Sequence, residues 1–373
     1  MRRTLIVTND FPPRAGGIQS FVHGLAVRQP SGSVVVYASD YPGSAQFDAQ
    51  QPFPVVRHPT KLLLPTPAAR RRVVATAREF AVSAVWFGAA APLGLLAHAV
   101  RAAGAQRIVA STHGHEVGWA MLPAGRQLLR RIGEGCDVIT YLGEYTRSRL
   151  ASALGPDATL QQLTPGVDVQ LFHPGVPAAT VRQRYGLGDR PVVVCVSRLV
   201  PRKGQDTLIR ALPAIRDRAP DVALLLVGAG PYRERLLRLA EQMGVRDHVV
   251  LTGGVPASQL PAHFAAGDVF AMPCRTRRFG MDVEGLGIVY LEASATGLPV
   301  VAGCSGGAPD AVRHATTGYV VDGRDPEAVA CHIGKLLMDR TLSARLGRAG
   351  RQWVTEDWRW EVVASRLHDM LQG

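Results

Sequence analysis

Long apolar runs are missing from this 373-residue chain. Apolar stretches such as Val192–Val196 and Leu224–Val227 are of strand length, far short of the roughly 20 residues a membrane-spanning helix requires. The N-terminus, MRRTLIVTNDFPP, begins like an export signal. Its apolar run ends at once in Asn9–Asp10, so it reads as a first β-strand and predicts no export. Cysteine is scarce. The five cysteines are scattered, odd in number and never spaced as Cys-x-x-Cys, which excludes a disulfide framework and predicts buried free thiols in a reducing cytoplasm. Acidic residues fall short of basic ones, 30 against 42, leaving a net charge of +12 that calls for anionic partners. Helix-turn-helix signals, zinc spacing and an aromatic-rich basic sheet motif are also lacking, so no nucleic acid is expected as partner.

What is present is a soluble α/β pattern, with 47% apolar and 19% charged residues. Short β-branched runs alternate with helical patterns, the mark of parallel α/β architecture. Strands are expected at Leu5–Thr8, Val34–Ala38, Val85–Phe87, Ile108–Ser111, Val138–Tyr141 and Leu160–Leu163. After the Pro/Gly-containing stretch from Pro165 to Pro177 the pattern restarts at Val192–Ser197, Ala223–Val227, Val249–Thr252, Val269–Met272, Val300–Ala302 and Tyr319–Val321. Near-uniform hydrophobicity says that helices cover both faces of each sheet. The expectation is two Rossmann-like domains facing each other across a cleft. The first spans 1–170 and the second 171–355, and a tryptophan-bearing helix at about 356–373 packs back on the first.

Ligands of open α/β sheets bind beyond the carboxyl ends of the strands, so the loops there are informative. The first is Asn9-Asp10-Phe11-Pro12-Pro13-Arg14-Ala15-Gly16-Gly17. Its glycine pair either admits a phosphate to a helix N-terminus or supplies a turn that needs positive φ. After the fourth expected strand stands Thr112-His113-Gly114-His115-Glu116, an active-site polar cluster, a structural turn or, least favoured, a metal site. The first strand of the second half leads into Ser197-Arg198-Leu199-Val200-Pro201-Arg202-Lys203-Gly204, where Arg198 and Lys203 suit a diphosphate against a solvated basic loop. Last comes Glu284-Gly285-Leu286-Gly287-Ile288-Val289-Tyr290-Leu291-Glu292. If its helix starts near Gly285, the two glutamates share one face about 12 Å apart. Glu292, set among apolar neighbours, needs a hydrogen-bonding partner such as a ribose diol. A chance salt-bridged pair is the bland alternative.

These four segments, in this order and spacing, resemble the family-4 retaining glycosyltransferases of GT-B fold, and the likeness covers nearly the whole chain. LIVTNDFPPRAGGIQSF, ASTHGHEVGW, SRLVPRKGQDTL and MPCRTRRFGMDVEGLGIVYLEAS are similar to actinobacterial members of that family. The resemblance implies GDP-mannose as donor, phosphatidylinositol monomannoside as acceptor and an α-1,6 linkage. It implies a cytoplasmic enzyme peripherally held at the anionic inner leaflet of the plasma membrane, with no cofactor and no bound metal.

It further implies roles for single residues. Arg198 and Lys203 hold the donor diphosphate. Glu284 meets the sugar hydroxyls beside the Gly285, Leu286 and Gly287 backbone, and Glu292 takes the ribose. Val255, in Gly253-Gly254-Val255-Pro256, lines the base pocket. Gly16 and Gly17 approach the β-phosphate, and His113 sits at the reacting centre. Asn9, Asp10, Gln19 and His115 face the acceptor. Two carboxylates 12 Å apart are too distant for a double displacement, which needs about 5 Å, so a front-face reaction is expected, completed by domain closure. The basic stretch Lys61–Pro65 with Arg70–Arg72 is either a lipid-docking element or a core-packed leucine run. The alternatives are a family-4 enzyme with another nucleotide-sugar donor or acceptor, and a non-catalytic nucleotide-binding protein.

Overall fold

The computed structural model describes residues 2–373 and divides into two compact units. One runs to Gly166 and takes in Trp360–Gly373; the other is Val167–Arg359.

The first unit is built on a seven-stranded sheet of β1 (Thr4–Thr8), β2 (Val34–Ser39), β3 (Val55–His58), β4 (Ala84–Phe87), β5 (Arg107–Ser111), β6 (Val138–Tyr141) and β7 (Leu160–Gln162). All pairs are parallel, in the order β3-β2-β1-β4-β5-β6-β7. Alternate residues feed two cores. Leu5, Val7, Val35 and Tyr37 point to one face, and Ile6, Val34, Val36 and Ala38 to the other. On that second face the helix Trp360–Gln372 contributes Val363, Ala364, Leu367 and Met370 beside Phe21, Leu25 and Trp86.

The second unit repeats the winding on six strands: β8 (Val192–Val196), β9 (Ala223–Val227), β10 (Val249–Gly253), β11 (Val269–Met272), β12 (Val300–Gly303) and β13 (Gly318–Val321). Its order is β10-β9-β8-β11-β12-β13, again all parallel. In both sheets the strand order reverses next to the first strand, between β1 and β4 and between β8 and β11. Such a switch point leaves a crevice at the carboxyl ends of the two strands.

Three differences from the sequence reading stand out. β3 was not expected; it is a four-residue edge strand in which only His58 is fully buried. The aromatic C-terminal stretch is two helices, Arg340–Asp357 and Trp360–Gln372, broken at Trp358. Of the five free cysteines, Cys136, Cys195 and Cys274 are buried, whereas Cys304, in the bend after β12, and Cys331, on the helix Pro326–Met338, are exposed. Burial pushes the Cys195 thiol up to about 11 and those of Cys136 and Cys274 up to about 12, so these three stay protonated at neutral pH.

Candidate functional site

In the second unit the chain leaves β8 at Ser197 and turns through the short 3-10 helix Pro201–Lys203 into the helix Gln205–Arg216. Gly204 permits the turn. Its φ is +77°, and a Cβ there would lie 2.0 Å from the Pro273 carbonyl oxygen. Gln205, fully buried, fastens the loop from behind: its Nε2 donates to Ser197 Oγ at 2.8 Å and to the Arg198 carbonyl at 2.9 Å. The result is to aim Lys203 inward. Its Nζ lies 2.6 Å from Glu284 Oε2, with both side chains largely buried.

Arg202, which the sequence reading did not single out, donates through Nη1 to the same oxygen at 2.8 Å. Its Nε stands 3.2 Å from Asp282 Oδ1, and Arg277 approaches the other Asp282 oxygen at 3.6 Å. Three cations thus surround two carboxylates. Arg198 is exposed, and its side chain has no partner among the described residues. The cluster therefore has positive charge to offer an anion.

Glu284 comes from the loop after β11, so the two loops of the switch point meet in this ion pair. The loop after β12 supports it from below. Gly307 N donates to the Glu284 carbonyl at 2.9 Å, and Ser305 Oγ accepts from Glu284 N at 3.4 Å. Gly306 has φ +55°, and a Cβ on it would sit 1.9 Å from the Glu284 oxygen. The helix does not start near Gly285. It spans Ile288–Ala295, after Gly287 in the left-handed region at φ +79°. Glu284 accordingly precedes the helix, and the two glutamates do not share a helix face. Gly285 and Leu286 lie in the same supported loop.

Glu292 is on that helix, half-buried, with no side-chain partner among the described residues. Burial alone pushes its carboxyl up to about 7. Beyond β10, Gly253 turns at φ +75° and the half-buried Val255 packs against the core.

In the first unit, Gly16 is extended at φ 166°, so the turn needs no left-handed residue. A Cβ on Gly16 would fall 2.1 Å from Gln19 Oε1, so a larger residue there would displace the end of the Gln19 side chain. No atom lies within 4 Å of a Cβ placed on Gly17, and no side chain caps the helix Gly17–Ala26. Gln19 Nε2 donates to Asp10 Oδ1 at 2.7 Å. Asn9 binds inward: its Nδ2 donates to the Leu63 carbonyl at 2.8 Å, and its Oδ1 accepts from Ser39 Oγ and Leu63 N. Leu63 is fully buried, whereas Leu62 and Leu64 are 59% and 44% exposed. The core-packed reading of that stretch holds for Leu63 alone.

After β5, the fully buried Glu116 accepts through Oε2 from the backbone N–H groups of His113 and Gly114, at 3.0 and 3.1 Å. His113 Nε2 lies 2.6 Å from the Gly88 carbonyl. A carbonyl only accepts, so Nε2 carries the proton and neutral His113 presents Nδ1 as an acceptor. Burial holds its pKa below the ordinary value, against the opposing pull of Glu116. His115 is exposed. It stands 3.3 Å from Glu116 Oε1 without hydrogen-bond alignment, which leaves that oxygen unsatisfied among the described residues.

The family description "Glycosyltransferase Family 4" matches residues 15–171 and "Glycosyl transferases group 1" matches 178–353. The chain is 56% identical, over all its length and 99% of the relative's, to a Mycobacterium tuberculosis protein named GDP-mannose-dependent alpha-(1-6)-phosphatidylinositol monomannoside mannosyltransferase. A protein of the same name from Mycolicibacterium smegmatis is 57% identical, covering 99% of this chain and 98% of that one. Among solved structures, Anabaena HepE in complex with UDP superposes with a TM-score of 0.80 at 21% identity, covering 99% of each chain. That likeness shows the GT-B fold.

Proposed function

The chain belongs to glycosyltransferase family 4, and on that footing we propose that it transfers mannose from GDP-mannose to phosphatidylinositol monomannoside with an α-1,6 linkage. The observation that carries the reading is the Arg202–Lys203–Glu284 cluster, built at the switch point of the second sheet. The full-length likeness to enzymes so named supports the choice of donor and acceptor.

Lys203 and the exposed Arg198 bind the donor diphosphate. Glu284, held by two cations through Oε2, offers Oε1 to the sugar hydroxyls beside the Gly285–Gly287 backbone. Glu292 takes the ribose diol, which supplies the hydrogen bonds that its carboxylate lacks in the free protein, and Val255 lines the base pocket. Gly16 and Gly17 leave the N–H groups of their helix open to a phosphate. His113 accepts a hydroxyl through Nδ1. Asp10, Gln19 and His115 meet the acceptor, while Asn9 serves it by anchoring the Leu63 segment.

Retention of configuration then proceeds on the front face. Double displacement needs a carboxylate nucleophile at the reacting carbon; Glu284 and Asp282 are tied into ion pairs, and Glu292 is given to the ribose. The departing diphosphate takes the acceptor's proton, and Lys203 and Arg198 stabilise the charge it gains. No helix among the described residues is long and apolar enough to cross a membrane. The acceptor is reached instead from the surface, with Leu62 and Leu64 entering the lipid and the exposed Arg70, Arg71 and Arg72 facing anionic headgroups, each cation worth about 1 kcal/mol.

The test is to incubate the protein with the monomannosylated lipid and, in turn, labelled GDP-mannose, UDP-glucose and ADP-glucose. The dimannosylated lipid should form with GDP-mannose alone. Transfer from another donor would transfer the proposal to that nucleotide sugar, and tight salt-sensitive binding to polynucleotide without any transfer would overturn it.

A further inference from the structure

A second basic feature lies outside the donor loops, between the helices Gln205–Arg216 and Arg233–Gln242 of the second unit. A cavity of about 330 Å³ there is lined by Asp206, Arg210, Tyr232, Arg235, Arg238 and Gln242, together with Leu239. None of Arg198, Lys203, Glu284 or Glu292 lines it.

Its charge is unbalanced. Asp206 is the single acid of the lining, and it is already engaged. Arg275 Nη2 reaches both of its carboxylate oxygens, at 2.9 and 2.7 Å, and Tyr232 Oη donates to Oδ2 at 3.2 Å. Arg275, not part of the lining, is fixed further by a 2.9 Å bond to Thr207 Oγ1. By contrast Arg210, Arg235 and Arg238 have no ion-pair or hydrogen-bond partner among the described residues. Arg235 and Arg238, three residues apart, share a helix face and meet Arg210 from the neighbouring helix.

Arg210, Arg235 and Arg238 are exposed to solvent, so water screens their repulsion, and an anion bound among them would meet three unpaired cations at once. Guanidinium groups prefer flat bidentate contacts with phosphate oxygens. The buried Leu239 and the half-buried Tyr232 complete the lining. The cavity is large enough for a compact ligand and too small for a polymer.

We propose that this cavity is a binding site for a phosphate-bearing anion, separate from the donor site and independent of the transferase reading. The same chemistry is offered by a soluble di- or oligophosphate and by a phosphomonoester lipid headgroup. Binding there reaches the donor loops by a short route. Arg275 N donates to the Arg202 carbonyl at 2.8 Å, and Arg202 holds Glu284. An anion that draws the Arg275 guanidinium toward the cavity, against its pairing with Asp206, changes the support of that arginine.

The experiment is a titration of inorganic pyrophosphate followed by calorimetry, with excess GDP present to occupy the donor site. It is run on the wild type, on Arg235→Gln/Arg238→Gln and on Lys203→Met. The same proteins are co-sedimented with phosphatidylcholine vesicles with and without phosphatidic acid. Saturable pyrophosphate binding weakened about tenfold in Arg235→Gln/Arg238→Gln and kept in Lys203→Met is expected for a soluble anion. Loss of phosphatidic acid binding in the same double variant, without pyrophosphate binding, assigns the site to a lipid headgroup. An unchanged melting temperature shows the variant to be folded; if it is not folded, Arg210→Gln replaces it. Pyrophosphate and vesicle binding that are both absent, or both indifferent to these arginines, would overturn the proposal.

Discussion

At the scale of single residues, the site is a set of charges held against their own solvation preferences. Glu292 is the clearest case. Its folded pKa of about 7 lies above the usual carboxylate value, so the folded protein binds a proton that the unfolded chain releases. Its effect on stability is therefore unfavourable above the unfolded pKa, growing from about pH 4.5 to 7 and constant beyond. A ribose diol hydrogen-bonded to the ionised form reverses the preference and lowers the pKa. GDP binding should then tighten as the pH rises through about 7, with release of a proton. The proton release read by calorimetry in two buffers should vanish in Glu292→Gln, and its persistence there would remove Glu292 from the ribose site. Arg202 is the residue that sequence reasoning missed. The 3-10 turn swings Arg202 onto Glu284 and leaves Arg198 exposed, and nothing in the order of letters distinguishes those two arginines. Arg202→Ala leaves Glu284 with one cation and Asp282 with Arg277. It should lower turnover on the order of 10²-fold, as loss of one preorganised charge contact does. Turnover within threefold of wild type would count against the cluster.

At the scale of elements, the interior strands were legible because parallel strands covered on both faces are written as unbroken apolar runs. Val192–Val196 and Ala223–Val227 are entirely buried, as their sequence requires. Val55–His58 is hard to read from the sequence because an edge strand of three half-buried residues and one buried histidine, following Pro54, carries little of that signal. The start of the Ile288 helix was misplaced for a different reason. In sequence Gly285 and Gly287 are equally good helix openers, and what holds the loop between Glu284 and Gly287 is a distant one, Ser305–Gly307. Gly306→Ala tests that support. Its Cβ meets the Glu284 carbonyl, and its φ of +55° costs an alanine about 1–2 kcal/mol. The variant should melt several degrees lower and lose turnover in proportion to the displacement of Glu284. An unaltered enzyme would show the loop to be self-supporting. The Leu62–Leu64 segment allows a similar test on the first unit. Leu62→Asp/Leu64→Asp removes two exposed apolar side chains and leaves Leu63 buried. Sedimentation with anionic vesicles should fall, while GDP binding stays as in wild type.

At the scale of the whole molecule, the two sheets share one winding order, and each unit places its polar loops at the carboxyl ends of the strands where that order reverses. The likeness to solved glycosyltransferases at low identity fits this view: the winding is kept by burial, which many apolar sequences satisfy. The site rests instead on a few charged and glycine positions of this chain. The residue chemistry of the site was therefore more legible from the sequence than its geometry. Which residues face each other was decided by loop-to-loop bonds remote in sequence.

The claim on which the account turns is that Lys203, held at the switch point by Glu284, grips the diphosphate of a nucleotide sugar. Calorimetric titration of GDP, GMP and guanosine into wild type and Lys203→Met measures this directly. The wild type should favour GDP over GMP by about tenfold or more, the worth of one charge-assisted contact, and Lys203→Met should level the two. Equal affinities in the wild type, or a preference untouched by the substitution, would contradict it.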